Sequence, residues 1–186
     1  MNEIFPKVHR SILKYKDKAL KSIVKDLVIL SVILLVVACE KVPKYGKTPE
    51  ISFNGIDIVR NVQNSLSTGI QDNVTIKLNY KDGDGDLGLT TDELGSSESN
   101  YIIDVQRQRN GVFTTLVLDL RLDGKFPKLS TDNVVGPIDG ILSNLVFIPQ
   151  SFPFVSNDTI RFDIKILDRA KNVSNTITTP AIIIYQ

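Results

Sequence analysis

Tryptophan is absent from the 186 residues, and methionine, cysteine and histidine occur once each. A single cysteine excludes a disulfide within the chain, so any core must be held by packing and hydrogen bonds alone. The one histidine, His9, sits before a basic and apolar N-terminal segment. The remainder of the chain therefore lacks the imidazole that Ser-His-Asp and Cys-His mechanisms and His-ligated zinc sites require. No stretch of a dozen residues after Cys39 repeats with helical period, and no internal repeat or low-complexity tract is visible.

Charge is present but unevenly placed. Residues 1–38 carry seven basic side chains, Lys7, Arg10, Lys14, Lys16, Lys18, Lys21 and Lys25, against Glu3, Asp17 and Asp26, a net of +4. The rest carries 15 basic against 18 acidic residues, a net of −3. A mildly acidic domain gives a polyphosphate no electrostatic hold, so nucleic acid is not expected as a partner.

The basic stretch leads into Leu27–Ala38 (LVILSVILLVVA), twelve apolar or small residues without a charge. As a helix this run spans about 18 Å, well short of the ~30 Å hydrocarbon core, which suits a signal-peptide apolar region and not a spanning helix. It ends in Val36-Val37-Ala38-Cys39, which resembles the lipobox of bacterial lipoproteins: an aliphatic residue, a small residue before the cut, then cysteine. The resemblance implies diacylglycerol transfer to the Cys39 sulfur, cleavage before it and N-acylation, so that two or three acyl chains such as palmitate hold the protein durably where one holds only marginally. Residues 1–38 then form a lipoprotein signal peptide, 39–49 a lipidated tether punctuated by Pro43, Gly46 and Pro49, and 50–186 the exported domain. Glu40 stands where Asp acts as an inner-membrane retention signal in some bacteria, so the outer membrane is the expected location in the cell envelope.

From Glu50 onward the pattern is β. Val74, Ile76, Leu78 and Tyr80 alternate with polar neighbours, as do Ile160, Phe162, Ile164 and Ile166. Tyr101, Ile103 and Val105 form one arm of a hairpin, Asn110-Gly111 supplies a type I′ turn, Val112–Leu122 returns, and Asp123-Gly124 marks the next reversal. Ile51–Val59, Leu145–Ile148 and Ala181–Tyr185 complete seven or eight strands. Short turns without intervening helices predict an antiparallel β-sandwich. The proline-broken stretch Val146–Val155 is expected to cross between the sheets with phenylalanine in the core. Asp168-Arg-Ala170-Lys-Asn172-Val-Ser174-Asn175 resembles the last hairpin of bacterial immunoglobulin-like domains, with Lys171 where those carry glycine, which implies Ig-like architecture.

The motif that carries chemistry is Asp82-Gly83-Asp84-Gly85-Asp86-Leu87-Gly88. Aspartates at alternate positions with small residues between them fold several carboxylates around one point, as calcium needs for its six to eight oxygen ligands. Counting Asp82 as position 1 of an EF-hand-like loop puts Asp84 at 3, Asp86 at 5, the Gly88 carbonyl at 7, Thr90 at 9 and Glu93 at 12, while Leu87 stands at 6 where EF-hands carry glycine. Two carboxylates ~4 Å apart repel by roughly 1–4 kcal/mol, a cost a bound dication turns into attraction. Since Asp and Gly are also ordinary turn residues, a solvated acidic turn is the alternative. With the lipobox, the early Pro49-Glu-Ile51-Ser-Phe53 and this loop, residues 36–90 resemble a group of Bacteroidota lipoproteins without an assigned activity.

Three functions are compatible with these features. The first is a non-catalytic binding or assembly module, calcium-stabilised and lipid-anchored, with an outer-membrane protein or a polysaccharide as partner; resemblance to Bacteroidota lipoproteins that accompany outer-membrane transport systems implies that setting. The second is a glycosidase-like hydrolase working through paired carboxylates, for which no acidic cluster beyond residues 82–93 is apparent. The third is a purely structural accessory subunit of an outer-membrane transport complex. The first, without catalysis, is the expectation carried forward.

Overall fold

The computed structural model describes residues 20–27, 29, 31, 42–63, 69–96, 98–119, 121–130, 135–150, 154, 155 and 157–184. The chain divides into two compact units, Met1–Val42 and Pro43–Gln186. In the first, residues 20–27 are helical, with Leu20, Ile23, Val24 and Leu27 all exposed at the spacing of one helix face. No described helix is long and apolar enough to cross a membrane. Cys39 and most of the apolar run before it lie outside the described residues.

The second unit is an antiparallel sandwich of eight strands. They are β1 (Glu50–Gln63), β2 (Ile70–Asp82), β3 (Tyr101–Arg109), β4 (Val112–Thr115), β5 (Ile138–Pro149), β6 (Asp158–Ile166), β7 (Ile177–Thr178) and β8 (Ile182–Ile184). One sheet runs β1-β2-β5; the other runs β4-β3-β6-β7, with β8 also on β6. Every inward alternation read from the sequence closes onto a single core: Val74, Ile76 and Leu78 from β2, Ile103 and Val105 from β3, and Ile160, Phe162, Ile164 and Ile166 from β6. Burying each such side chain stabilises the fold by roughly 1.5–3 kcal/mol, which is how the domain dispenses with disulfides. Phe154 is in this core, as expected for the crossing segment, whereas Phe147 points outward and is half exposed.

Irregularities in the ladders have local causes. β1 pairs with β2 through two register shifts, between Phe53 and Gly55 and between Val59 and Val62. The first exchanges the inward set from Ile51 and Phe53 to Ile56 and Ile58, because one extra residue reverses the side-chain parity of a strand. β7 and β8 are one edge strand broken by Pro180, which cannot donate to the ladder. Thr179 mends the gap: its N–H donates to the Phe162 carbonyl and its hydroxyl accepts from the Phe162 N–H.

Asn110 (φ 51°) and Gly111 (φ 80°) form the β3–β4 turn with both residues left-handed, as the type I′ reading requires. The returning arm is shorter than Val112–Leu122. It leaves the ladder after Leu116 donates to the Val105 carbonyl, and comes back only where Gly124 and Tyr101 exchange two backbone bonds. Asp123-Gly124 is thus a re-entry to the edge of β3 and not a reversal. The Asp123 carboxylate occupies the vacated place by accepting from the Ile103 N–H. A single helical turn, Thr91–Leu94, interrupts the otherwise all-β course after β2.

Candidate metal centre

β2 delivers Asp82, its last residue, fully buried at one end of the sandwich. Glycine shapes the loop beyond it. Gly85 (φ 71°) and Gly88 (φ 87°) are left-handed, and a β-carbon would lie 2.5 Å from the Gly136 carbonyl oxygen at the first and 2.2 Å from that of Pro127 at the second. Leu87, between them, is fully buried in the core and bridges to Asp168 at the end of β6. An EF-hand turns on glycine at that position; here a leucine anchor pins the loop, and the turning is done on either side of it.

The loop converges its aspartates. One carboxylate oxygen from each of Asp82, Asp84 and Asp86 lies within 4.8 Å of the others. Oxygens bound to one calcium ion at 2.3–2.6 Å lie no further than about 5 Å apart, so this spread fits a shared ion. Backbone engages one oxygen of Asp82 and one of Asp86: Asp82 Oδ2 accepts from the N–H groups of Gly85 (2.8 Å) and Asp86 (3.1 Å), and Asp86 Oδ2 accepts from Ala170 (3.1 Å). Oδ1 of all three is buried and accepts no hydrogen bond. Leaving a buried acceptor unsatisfied costs about 1–3 kcal/mol, and more for a charged one. The donor set, three hard carboxylate oxygens, fits a calcium ion.

Electrostatics records the same strain. Burial pushes the Asp82 carboxyl up to about 6, with the charges of Asp84 and Asp86 adding to the push and the N–H groups of Gly85 and Asp86 opposing it. Asp86 is also raised, by burial and then by the charge of Asp168, against the Ala170 N–H.

The other sequence-predicted positions have other engagements. The Gly88 carbonyl accepts from Arg169 Nη1 at 3.1 Å. Thr90 and Glu93 form a capping box on the helical turn: Glu93 Oε2 accepts from the Thr90 N–H (2.8 Å), and the Glu93 N–H donates to the Thr90 hydroxyl. These bonds from Thr90 hold the Glu93 carboxyl below its ordinary range, and Glu93 lies outside the aspartate group. The box was legible as Thr90-x-x-Glu93, a helix-start signal that competes with the EF-hand count for the same residues.

Sequence reasoning missed the second wall of the site. Asp168 accepts from the Asn172 N–H and side-chain amide, both at 2.7 Å, and closes a turn in which Lys171 (φ 69°) holds the left-handed place where the resembling domains carry glycine. That turn presents the N–H groups of Arg169 and Ala170 to the Asp86 carbonyl and carboxylate. Beside it a pocket of about 250 Å³ opens, lined by Asp84, Asp86, Lys128, Ser130 and Arg169. Nothing in local sequence announces a contact between residues more than eighty positions apart. Comparison with protein-family models, curated proteins and solved structures gives no match to this chain.

Proposed function

We propose that the sandwich is a calcium-stabilised, non-catalytic binding or assembly module, held in the cell envelope by lipid on Cys39. The observation that carries the calcium reading is a cluster of three aspartates with carboxylate oxygens within 4.8 Å of one another, each of which also holds a buried Oδ1 without a hydrogen-bond partner. A solvated acidic turn would leave those oxygens to water, whereas these are withdrawn from it. The non-catalytic reading is supported by the sequence: no histidine follows Cys39, so Ser-His-Asp and Cys-His mechanisms lack their imidazole. Lipid anchorage at the outer membrane, with a barrel protein or a polysaccharide as partner, rests on the basic segment, the apolar run and Val36–Cys39.

Thermal unfolding tests the metal. With free calcium ten to a hundred times its dissociation constant, the folded state gains about 1.4–2.7 kcal/mol, so chelation lowers the melting temperature by on the order of 5 °C. Asp84→Asn abolishes the difference, and superimposable curves with and without chelator in the parent protein discard the ion. Anchorage has its own test: Cys39→Ala in the native host removes palmitate labelling, while continued labelling places the lipid elsewhere.

A further inference from the structure

We infer that the chain just before β1 is a strap seated on the aspartate loop, and that calcium in the loop keeps it seated, so that the ion sets the slack in the lipid tether. The inference rests on the calcium reading and deepens it, by naming what the ion regulates. As a sequence, residues 39–49 read as a free spacer, but the second half of that spacer is held. β1 pairs Glu50 with Lys81, so the chain leading into β1 runs past the end of β2 and reaches the loop that follows. Gly83 makes room for it there. A β-carbon on Gly83 would lie 2.5 Å from the Tyr45 carbonyl oxygen, 2.6 Å from that of Gly46 and 2.9 Å from the Gly46 carbonyl carbon. Tyr45 is half-buried, with Lys81 Nζ 5.7 Å from the centre of its ring. Burial, and then the Asp139 carboxylate at the start of β5, raise the pKa of its hydroxyl above the ordinary value. Pro49 is buried, and Ile51 exchanges two hydrogen bonds with Asn175, which fixes the far end of the strap.

Gly83 stands between Asp82 and Asp84, two of the three aspartates whose oxygens converge. The backbone that seats the strap is therefore the backbone that a shared ion would fix. A fit too close for one added carbon is lost when the loop moves. Without the ion, repulsion among the carboxylates drives such a movement; with it, loop and strap settle together. By reciprocity, a seated strap tightens calcium by the same factor by which calcium tightens the strap. Charge attraction is not what seats it, since Lys44 and Lys47 lie exposed, where ion pairs contribute little. The consequence is one of reach. With the strap seated, the chain from Cys39 to Tyr45 extends at most about 21 Å; released as far as Glu50, it extends at most about 39 Å. Calcium thus roughly halves the length of chain on which the lipid holds the sandwich.

Digestion of the full-length protein with a protease that cuts after lysine tests this, read by mass spectrometry at the bonds after Lys44 and Lys47. A protease cuts such bonds from the opened form, here the released strap. The bond after Lys41, ahead of the strap, is the internal control. In chelator the two strap bonds are expected to be cut at least about fivefold faster than in saturating calcium, the low end of ordinary coupling between sites, with the control unchanged. The three atoms nearest a β-carbon at position 83 all belong to the strap, so Gly83→Ala is expected to be cut at the fast rate even in saturating calcium. Tyr45→Ala, which alters the strap and not the sandwich, gives the same acceleration after Lys47. Calorimetry with calcium alone separates the failures. Calcium uptake with equal cutting in calcium and chelator, or slow cutting of both variants in calcium, overturns this inference and leaves the metal reading standing. A chain that takes up no calcium removes the metal reading and this one together.

Discussion

On the proposed calcium reading Asp82 has two opposed roles, ligand and proton acceptor, and pH separates them. In the metal-free protein its folded-state pKa near 6 stands above the 3.8 of an unperturbed aspartate, so the folded form binds the proton more tightly than the unfolded chain. The resulting stabilisation is complete below about pH 4 and is lost as pH rises through 6, a total on the order of 3 kcal/mol. Asp158 runs the other way. Its burial alone would raise its pKa, but the Val155 N–H, Arg109 and Arg107 bring it below the ordinary value, so its contribution is lost only at lower pH. Between pH 4.5 and 7 the metal-free protein is therefore expected to show a falling urea midpoint, and Asp82→Asn to flatten it. On the proposed calcium reading the ion competes with this proton, so its stabilising effect is expected to grow across the same interval. A metal-free midpoint that rises from pH 4.5 to 7 refutes the assignment.

Among the elements, the turn Thr91–Leu94 decides what Glu93 is for. As position 12 of an EF-hand it would supply calcium with a bidentate carboxylate, and its removal would cost most of the affinity. As the reciprocal member of a capping box it satisfies a backbone N–H at the start of one exposed helical turn. Glu93→Ala is accordingly expected to lower stability by about 0.5–1 kcal/mol and to leave calcium affinity within twofold, read by melting and by calorimetry; a tenfold loss of affinity restores the ligand role.

The same element marks the boundary of what the sequence discloses. Strands β2, β3 and β6 were readable because their period-2 alternation is imposed by burial on one face, and the β3–β4 turn because only left-handed residues fit it. The aspartate cluster was readable because its spacing is local. Three features were not. The loss of β4 after Leu116, the re-entry at Gly124 and the contact of the Asp168–Asn172 turn with the aspartate loop all depend on partners distant in the chain. Apolar pattern names the face a residue takes, but not the neighbour it meets.

At the scale of the whole domain, the centre lies at one end of the two sheets, where Ile51 of β1 and Asn175 of the segment after β6 also exchange two hydrogen bonds. Asp82 ends β2 of the three-stranded sheet, and Asp168 follows β6 of the other. Between them run the bridge from Leu87 to Asp168, the bonds from Arg169 and Ala170 to Asp86, and the bond from Arg169 to Gly88. Without an ion, mutual repulsion of the three carboxylates, Asp82 buried and Asp84 and Asp86 half-buried, pushes this seam apart; with one, the same charges would draw it shut. If the proposed calcium ion is bound, the seam is the part of the domain whose opening depends on it, while the centre of β3 and β6 opens only with global unfolding. Hydrogen exchange resolves the two. On chelation, the amides of Gly85, Asp86, Ala170 and Asn172 are expected to exchange at least about tenfold faster, the loss of roughly 1.4 kcal/mol of local protection. Those of Ile103, Val105 and Phe162 speed up only as far as overall stability falls. Equal acceleration at both sets means the ion acts on the fold as a whole and does not clasp the seam, and no acceleration at the first set means the aspartates hold no ion.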